Sequence, residues 1–128
     1  MNSKRKGSAG ERELCTYLAA RGFPAHRNEQ RYISGKANPD VDAEGLEEYH
    51  FEVKRVEKLN VSEAMRQAVR DASGRTPVVV HRRNREPWLV TLRLDDWIEE
   101  RRMHHSVEGK SGKSDGGPFE LSDYPSSF

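Results

Sequence analysis

The run Tyr49-His50-Phe51-Glu52-Val53-Lys54 alternates apolar and polar side chains. A period of two fits a β-strand and no helix, because successive side chains of a strand point to opposite faces. Phe51 and Val53 therefore share one face, and Glu52 and Lys54 share the other. Upstream, Val41-Asp42-Ala43 and a Glu44-Gly45 turn predict a hairpin whose second strand runs from Glu48 to Val56. The chain must therefore build a sheet, and helical patterns on both sides of the hairpin make it an α/β protein.

Leu14, Tyr17, Leu18 and Arg21 fall at helical spacing in Ser8–Arg21, and Gly22 supplies a stop. Phe23–Arg27 predicts a short edge strand. Asn28–Pro39 is polar, holds Ser34-Gly35 and Asn38-Pro39, and reads as a loop, long enough to suggest function. Asn60 opens a second helix through Ala72, with Met65, Ala68, Val69 and Ala72 as its expected buried stripe and Gly74 ending it. Pro77–His81 and Trp88–Leu92 are strand-like, joined by the basic turn Arg82-Arg83-Asn84-Arg85. Asp95 or Asp96 is expected to cap a last helix, Trp97 to about Met103, and Trp88 and Trp97 are expected in the core. The resulting order is α-β-β-β-α-β-β-α.

A length of 128 residues allows one core. Residues 1–103 are expected to form it. Residues 104–128, rich in Gly, Ser, Lys and Asp, are expected to be a flexible polar tail. Its Phe119-Glu120-Leu121 and Tyr124 offer docking points for a partner subunit or for the chain's own body. No apolar run approaches the roughly 20 residues of a membrane-spanning helix. Cys15 is the only cysteine, which excludes an internal disulfide and a cysteine-rich zinc site. These features favour the cytoplasm. Net charge is only +1, but residues 1–36 hold eight Lys/Arg against three acids, enough to build a local basic face.

Asp40, after Pro39, enters the strand that precedes the Glu52 strand, so an antiparallel pairing brings it within reach of Glu52. Two carboxylates so placed repel, and a divalent cation relieves the repulsion. Pro39-Asp40 followed by Glu52-Val53-Lys54 resembles the signature of PD-(D/E)xK nucleases, the restriction-endonuclease-like class. Lys6-Gly7-Ser8-Ala9-Gly10-Glu11-Arg12-Glu13-Leu14, on a helix ending Arg21-Gly22-Phe23, is similar to archaeal-type Holliday-junction resolvases and their phage relatives. The resemblance covers roughly residues 4–95.

The resemblance implies a restriction-endonuclease-like core, a central mixed sheet flanked by helices. It implies hydrolysis of DNA phosphodiesters that leaves a 5′-phosphate, with Mg²⁺ as cofactor and Mn²⁺ as a substitute. Asp40 and Glu52 would hold the metal, with Glu11 as a further ligand or orienting a water. Lys54 would position the attacking water or stabilise charge on the phosphate, and Ser34 is the counterpart of a loop serine that matters in that family. The implied partner is a four-way junction cut by a homodimer, in a prokaryotic or phage-infected cell.

Each residue also has a plainer explanation. Ser8-x-x-Glu11 fits a helix capping box. Asp40 after proline suits an ordinary turn, and Asp42 is an alternative ligand on the same strand face. Glu52 and Lys54 can be an exposed charge pair. Gln67, on the next helix, is either near the site or simply exposed. Arg27, Arg31, Lys36, Arg55 and Lys58 flank the site as phosphate contacts or as solvated side chains. His81 reads as a packed or hydrogen-bonded histidine. Two other functions stay open: a general or nicking phage or repair nuclease, and a junction-binding module that does not cut. The presence of Glu11, Asp40, Glu52 and Lys54 together argues against the second.

Overall fold

The computed structural model describes residues 3–28, 32–33, 36–37 and 39–110. The chain divides into two units, Met1–Arg93 and Leu94–Phe128. The first contains helix α1 (Ser3–Ala19), strands β1 (Ala25–Arg27), β2 (Tyr32–Ile33), β3 (Lys36–Ala37), β4 (Val41–Ala43) and β5 (Tyr49–Arg55), helix α2 (Val61–Asp71), and strands β6 (Thr76–Arg82) and β7 (Leu89–Thr91). The second contains helix α3 (Leu94–Lys110).

Five strands form one mixed sheet in the order β1-β4-β5-β6-β7. β5 and β6 are parallel, joined through α2, while the other pairs are antiparallel. Apart from the pair β2-β3, which forms a separate two-stranded sheet, the element order is the expected α-β-β-β-α-β-β-α. That small pair, with Tyr32 opposite Ala37, lies within the stretch read as a loop. Its strands are two residues each, too short for a periodic signal.

The hairpin places Val41 opposite Phe51, and β6 runs in register with β5, Phe51 beside Val78 and Glu52 beside Val79. Leu14 of α1 packs with Val41, Ala43, Phe51, Val53, Val78 and Val80 on one face of the sheet. Ala64 and Ala68 of α2 pack on Val79 on the other. Both faces of the central strands are covered, so the polar side of β5 lies under α2.

Several boundaries differ from the sequence reading. α1 starts at Ser3, because the straight-chain Lys4, Arg5 and Lys6 favour helix without contributing an apolar stripe. It stops at Ala19, and the chain turns at Gly22, whose φ of 94° suits glycine. α2 is capped by Asn60, whose side chain accepts from the Glu63 N–H, and buries Ala64 and Ala68. Val69, expected inside, is 39% exposed, because the small side chains face the sheet and let the helix approach closely. α3 begins at Leu94, with Asp95 and Asp96 in its first turn, where acids complement the helix dipole. Trp97 is 51% exposed rather than in the core.

Candidate active site

β5 presents His50, Glu52 and Lys54 on the face covered by α2, as its alternation requires. Asp40, just before β4, is fastened to β5 twice. Its N–H donates to the Phe51 carbonyl at 3.0 Å, and its Oδ2 accepts the Val53 N–H at 2.9 Å. A side-chain oxygen thus stands where a ladder carbonyl would otherwise serve, and the two bonds straddle Glu52. Asp40 is 5% and Glu52 is 4% exposed.

Lys54 Nζ stands 3.5 Å from Glu52 Oε2 and donates to Gln67 Oε1 at 3.1 Å. Gln67, ambiguous in the sequence, therefore reaches the site from α2. Glu52 Oε1 lies 3.9 Å from Nε2 of His50, whose side chain is fully buried. Both neighbours of Glu52 stand beyond ordinary hydrogen-bond length. The sequence reading did not single out His50; the available signal was its phase, two residues before Glu52.

Glu11 occupies a different environment. It is 2% exposed, and its Oε1 accepts from Arg27 Nε at 3.0 Å. The same guanidinium donates to Ser8 Oγ at 2.9 Å. Ser8 sits inside α1 rather than at its start, so it cannot cap the helix, and the capping-box explanation of Glu11 fails. Among the described residues no three His, Cys, Asp or Glu side chains form a group able to hold a metal ion.

Asp42 is engaged elsewhere. Its Oδ2 accepts from Asn28 Nδ2 at 3.0 Å and its Oδ1 from Arg75 Nη1 at 2.8 Å. Burial opposes its ionisation, but the hydrogen bonds from Asn28 and Arg75 and the charges of Arg75 and His26 outweigh burial and hold its pKa below the ordinary value.

The proposed phosphate contacts differ in their surroundings. Arg27 is tied to Glu11 and Ser8. Arg55 Nε donates to Glu13 Oε1 at 2.8 Å, and the other oxygen of Glu13 holds Arg82 at 3.2 Å. Lys58 is exposed in the turn between β5 and α2. Lys36 belongs to β3. Arg31 and Ser34 lie outside the described residues.

A strand carrying Glu-x-Lys, with an aspartate anchored beside the glutamate, has the arrangement of the PD-(D/E)xK signature that the sequence resembles. Residues 2–115 match the family model described as Archaeal holliday junction resolvase (hjc), and the chain belongs to that family. It is a Holliday-junction resolvase, a metal-dependent endonuclease. No curated protein matches the chain. Among solved structures, that of Archaeoglobus fulgidus Hjc, a Holliday junction resolvase from an archaeal hyperthermophile, is similar at 24% identity. That match covers 66% of this chain and 75% of that one, with a TM-score of 0.49. The family assignment rests on the family match. No helix among the described residues is long and apolar enough to cross a membrane.

Proposed function

We propose that this resolvase cuts four-way DNA junctions by hydrolysis with Mg²⁺ held by Asp40 and Glu52, acting in the cytoplasm as a homodimer. The observation that carries the reading is the anchoring of the buried Asp40 carboxylate to the Val53 N–H, beside the buried Glu52. Two carboxylates with no thiolate present a hard oxygen donor set, and Mg²⁺ is commonly bound by one or two carboxylates completed by water and phosphate oxygens. The residues therefore fit the metal. Asp42, with both oxygens hydrogen-bonded to protein, is the weaker candidate.

A bound cation supplies a polarised phosphate and a water that loses its proton more readily. Glu52 and Asp40 fix where the scissile phosphate lies. Lys54, held by Gln67 and steered by Glu52, aims its ammonium at the charge growing on the phosphate or at the attacking water. Water forms the new P–O bond as the bond to the leaving 3′-oxygen breaks, which leaves a 5′-phosphate. Glu11 joins as a further ligand, or orients a water, once its ion pair with Arg27 opens. Arg27, Arg31, Lys36, Arg55 and Lys58 contribute phosphate contacts, and Ser34 takes the part of the serine that matters in the family. A two-fold dimer places two such centres on a junction whose own symmetry is two-fold.

The test compares wild type with Asp40→Asn and Glu52→Gln on a labelled four-way junction and a matched linear duplex, with Mg²⁺, Mn²⁺ or EDTA. Paired symmetric nicks on the junction alone, lost in EDTA and in both variants while binding survives, are the expected result. Equal cutting of the duplex moves the protein to a general nuclease. Tight binding without cleavage under either metal leaves a binding module. Gel filtration at micromolar concentration gives a dimer, and a strict monomer counts against paired cutting.

A further inference from the structure

His50 is 1% exposed, and neither of its ring nitrogens has a hydrogen-bond partner among the described residues. Buried polar groups are nearly always hydrogen-bonded, so an imidazole in this position calls for an explanation. A leucine or methionine would fill a similar space without burying two nitrogens. Among the described residues, the carboxylate oxygen that faces the ring is Glu52 Oε1, 3.9 Å from His50 Nε2. Both residues project from the same face of β5, and closing the gap by about 1 Å gives an ordinary hydrogen bond. Catalytic hydrogen bonds are often long before the reacting complex forms and tighten within it.

We propose that His50 is a positioning residue for Glu52, donating from Nε2–H to Oε1 and so fixing how the carboxylate presents itself to the cation. This rests on the reading of Glu52 as a metal ligand. Lys54 stands at Oε2 and His50 at Oε1, so the carboxylate is flanked at both oxygens and its rotation is restricted. Partners that orient a ligating side chain commonly change metal affinity or activity by about 10–100-fold when removed. His50 touches neither substrate nor the reacting atoms in this scheme; it acts through Glu52 alone.

The test uses the full chain with His50→Leu, which removes both nitrogens, and His50→Gln, whose amide nitrogen reaches the place of Nε2. Glu52→Gln is the reference. Calorimetric titration of the DNA-free protein with Mn²⁺ and single-turnover junction cleavage against Mg²⁺ concentration are both measured. His50→Leu should weaken Mn²⁺ binding and raise the Mg²⁺ midpoint by about 10–100-fold, with junction binding in EDTA unchanged. His50→Gln should recover most of the loss. Wild-type Mn²⁺ affinity and Mg²⁺ midpoint in His50→Leu overturn the proposal and leave His50 as core filler. If His50→Leu does not fold, ¹⁵N spectra of the wild-type imidazole decide. A proton on Nε2 supports the proposal, and a proton on Nδ1 with a bare Nε2 overturns it. If Glu52→Gln also leaves metal affinity and cleavage intact, the metal reading of Glu52 is what fails, and the role of His50 falls with it.

Discussion

Gly10 of α1 lies so close to Arg55 of β5 that a Cβ on the glycine would stand 2.6 Å from the Cβ of the arginine. The glycine lets the helix bearing Glu11 and Glu13 settle onto the strand bearing Glu52 and Lys54. Gly10→Ala should therefore destabilise the fold by about 1–3 kcal/mol, as overpacking does. Gly7, exposed on the same helix with nothing within 4 Å of an added Cβ, is the control. Gly7→Ala should stabilise by up to about 1 kcal/mol through helix propensity. Urea midpoints of the two variants check the contrast.

Asp40 has two duties that different substitutions separate. Asp40→Asn keeps an oxygen for the Val53 N–H and should hold most of the stability while losing cleavage by at least about 100-fold, the scale on which electrostatic catalytic groups act. Asp40→Ala should lose cleavage equally and cost a further 1–3 kcal/mol, roughly the penalty of leaving a buried donor unpaired. Single-turnover cleavage and chemical denaturation, run on both variants, show whether the losses separate.

Glu11 and Arg27 form an ion pair of which the acid side chain is 3% and the arginine 22% exposed. A double-mutant cycle with Glu11→Gln and Arg27→Gln should give a coupling of about 0.5–3 kcal/mol in folding stability. Removing Arg27 should lower both stability and the salt dependence of junction binding, because the same guanidinium holds Glu11 and serves a phosphate. Lys58, exposed in the turn after β5, should affect binding alone, with Lys58→Ala lowering the log–log salt slope by about one and leaving stability unchanged. A full unit of slope lost on removing Arg27 would show that it leaves Glu11 for a phosphate.

Acid should weaken the fold in two steps. Burial holds the His81 pKa below its ordinary value of about 6.5. The unfolded chain therefore binds a proton there first, and stability falls as pH drops from that value toward the lower folded pKa. Asp42, whose folded pKa is held below about 4, contributes stability that is present above that value and is lost as pH falls through the folded pKa. His81→Gln should flatten the upper limb of a stability–pH curve, and Asp42→Asn the lower one. Urea denaturation followed downward from about pH 8, above the ordinary range of both groups, checks the assignment.

The hairpin and the Asp40–Glu52–Lys54 set were legible because a strand's period fixes which side chains share a face, and the Pro39-Asp40 step fixes where the partner strand begins. The burial of His50 was not legible. Alternation marks His50, Glu52 and Lys54 as the polar side of β5, which in a one-sided sheet faces water. Here α2 lies on that side, and only the parallel β5–β6 crossover, a long-range feature, puts it there. The same placement explains Gln67, whose contact with Lys54 depends on how the helix lies over the strand. Val69 misled for a related reason: helical spacing allows it in the stripe, but close packing on Val79 favours Ala64 and Ala68. Ser8 looked like a cap because the basic residues before it carry no apolar rhythm.

The bond from the Val53 N–H to the Asp40 carboxylate also bears on how such proteins diverge. In a descendant that had ceased to cut, selection for the hairpin alone would still preserve an aspartate here, or an asparagine with an equivalent oxygen. Persistence of this acid in a distant relative would then record ancestry of the fold more than retention of enzymatic activity. Among the described residues the side chains of Glu52 and Lys54 make no hydrogen bond to the strand ladder, and so these two would drift sooner. Their joint survival is the better sign of a working nuclease.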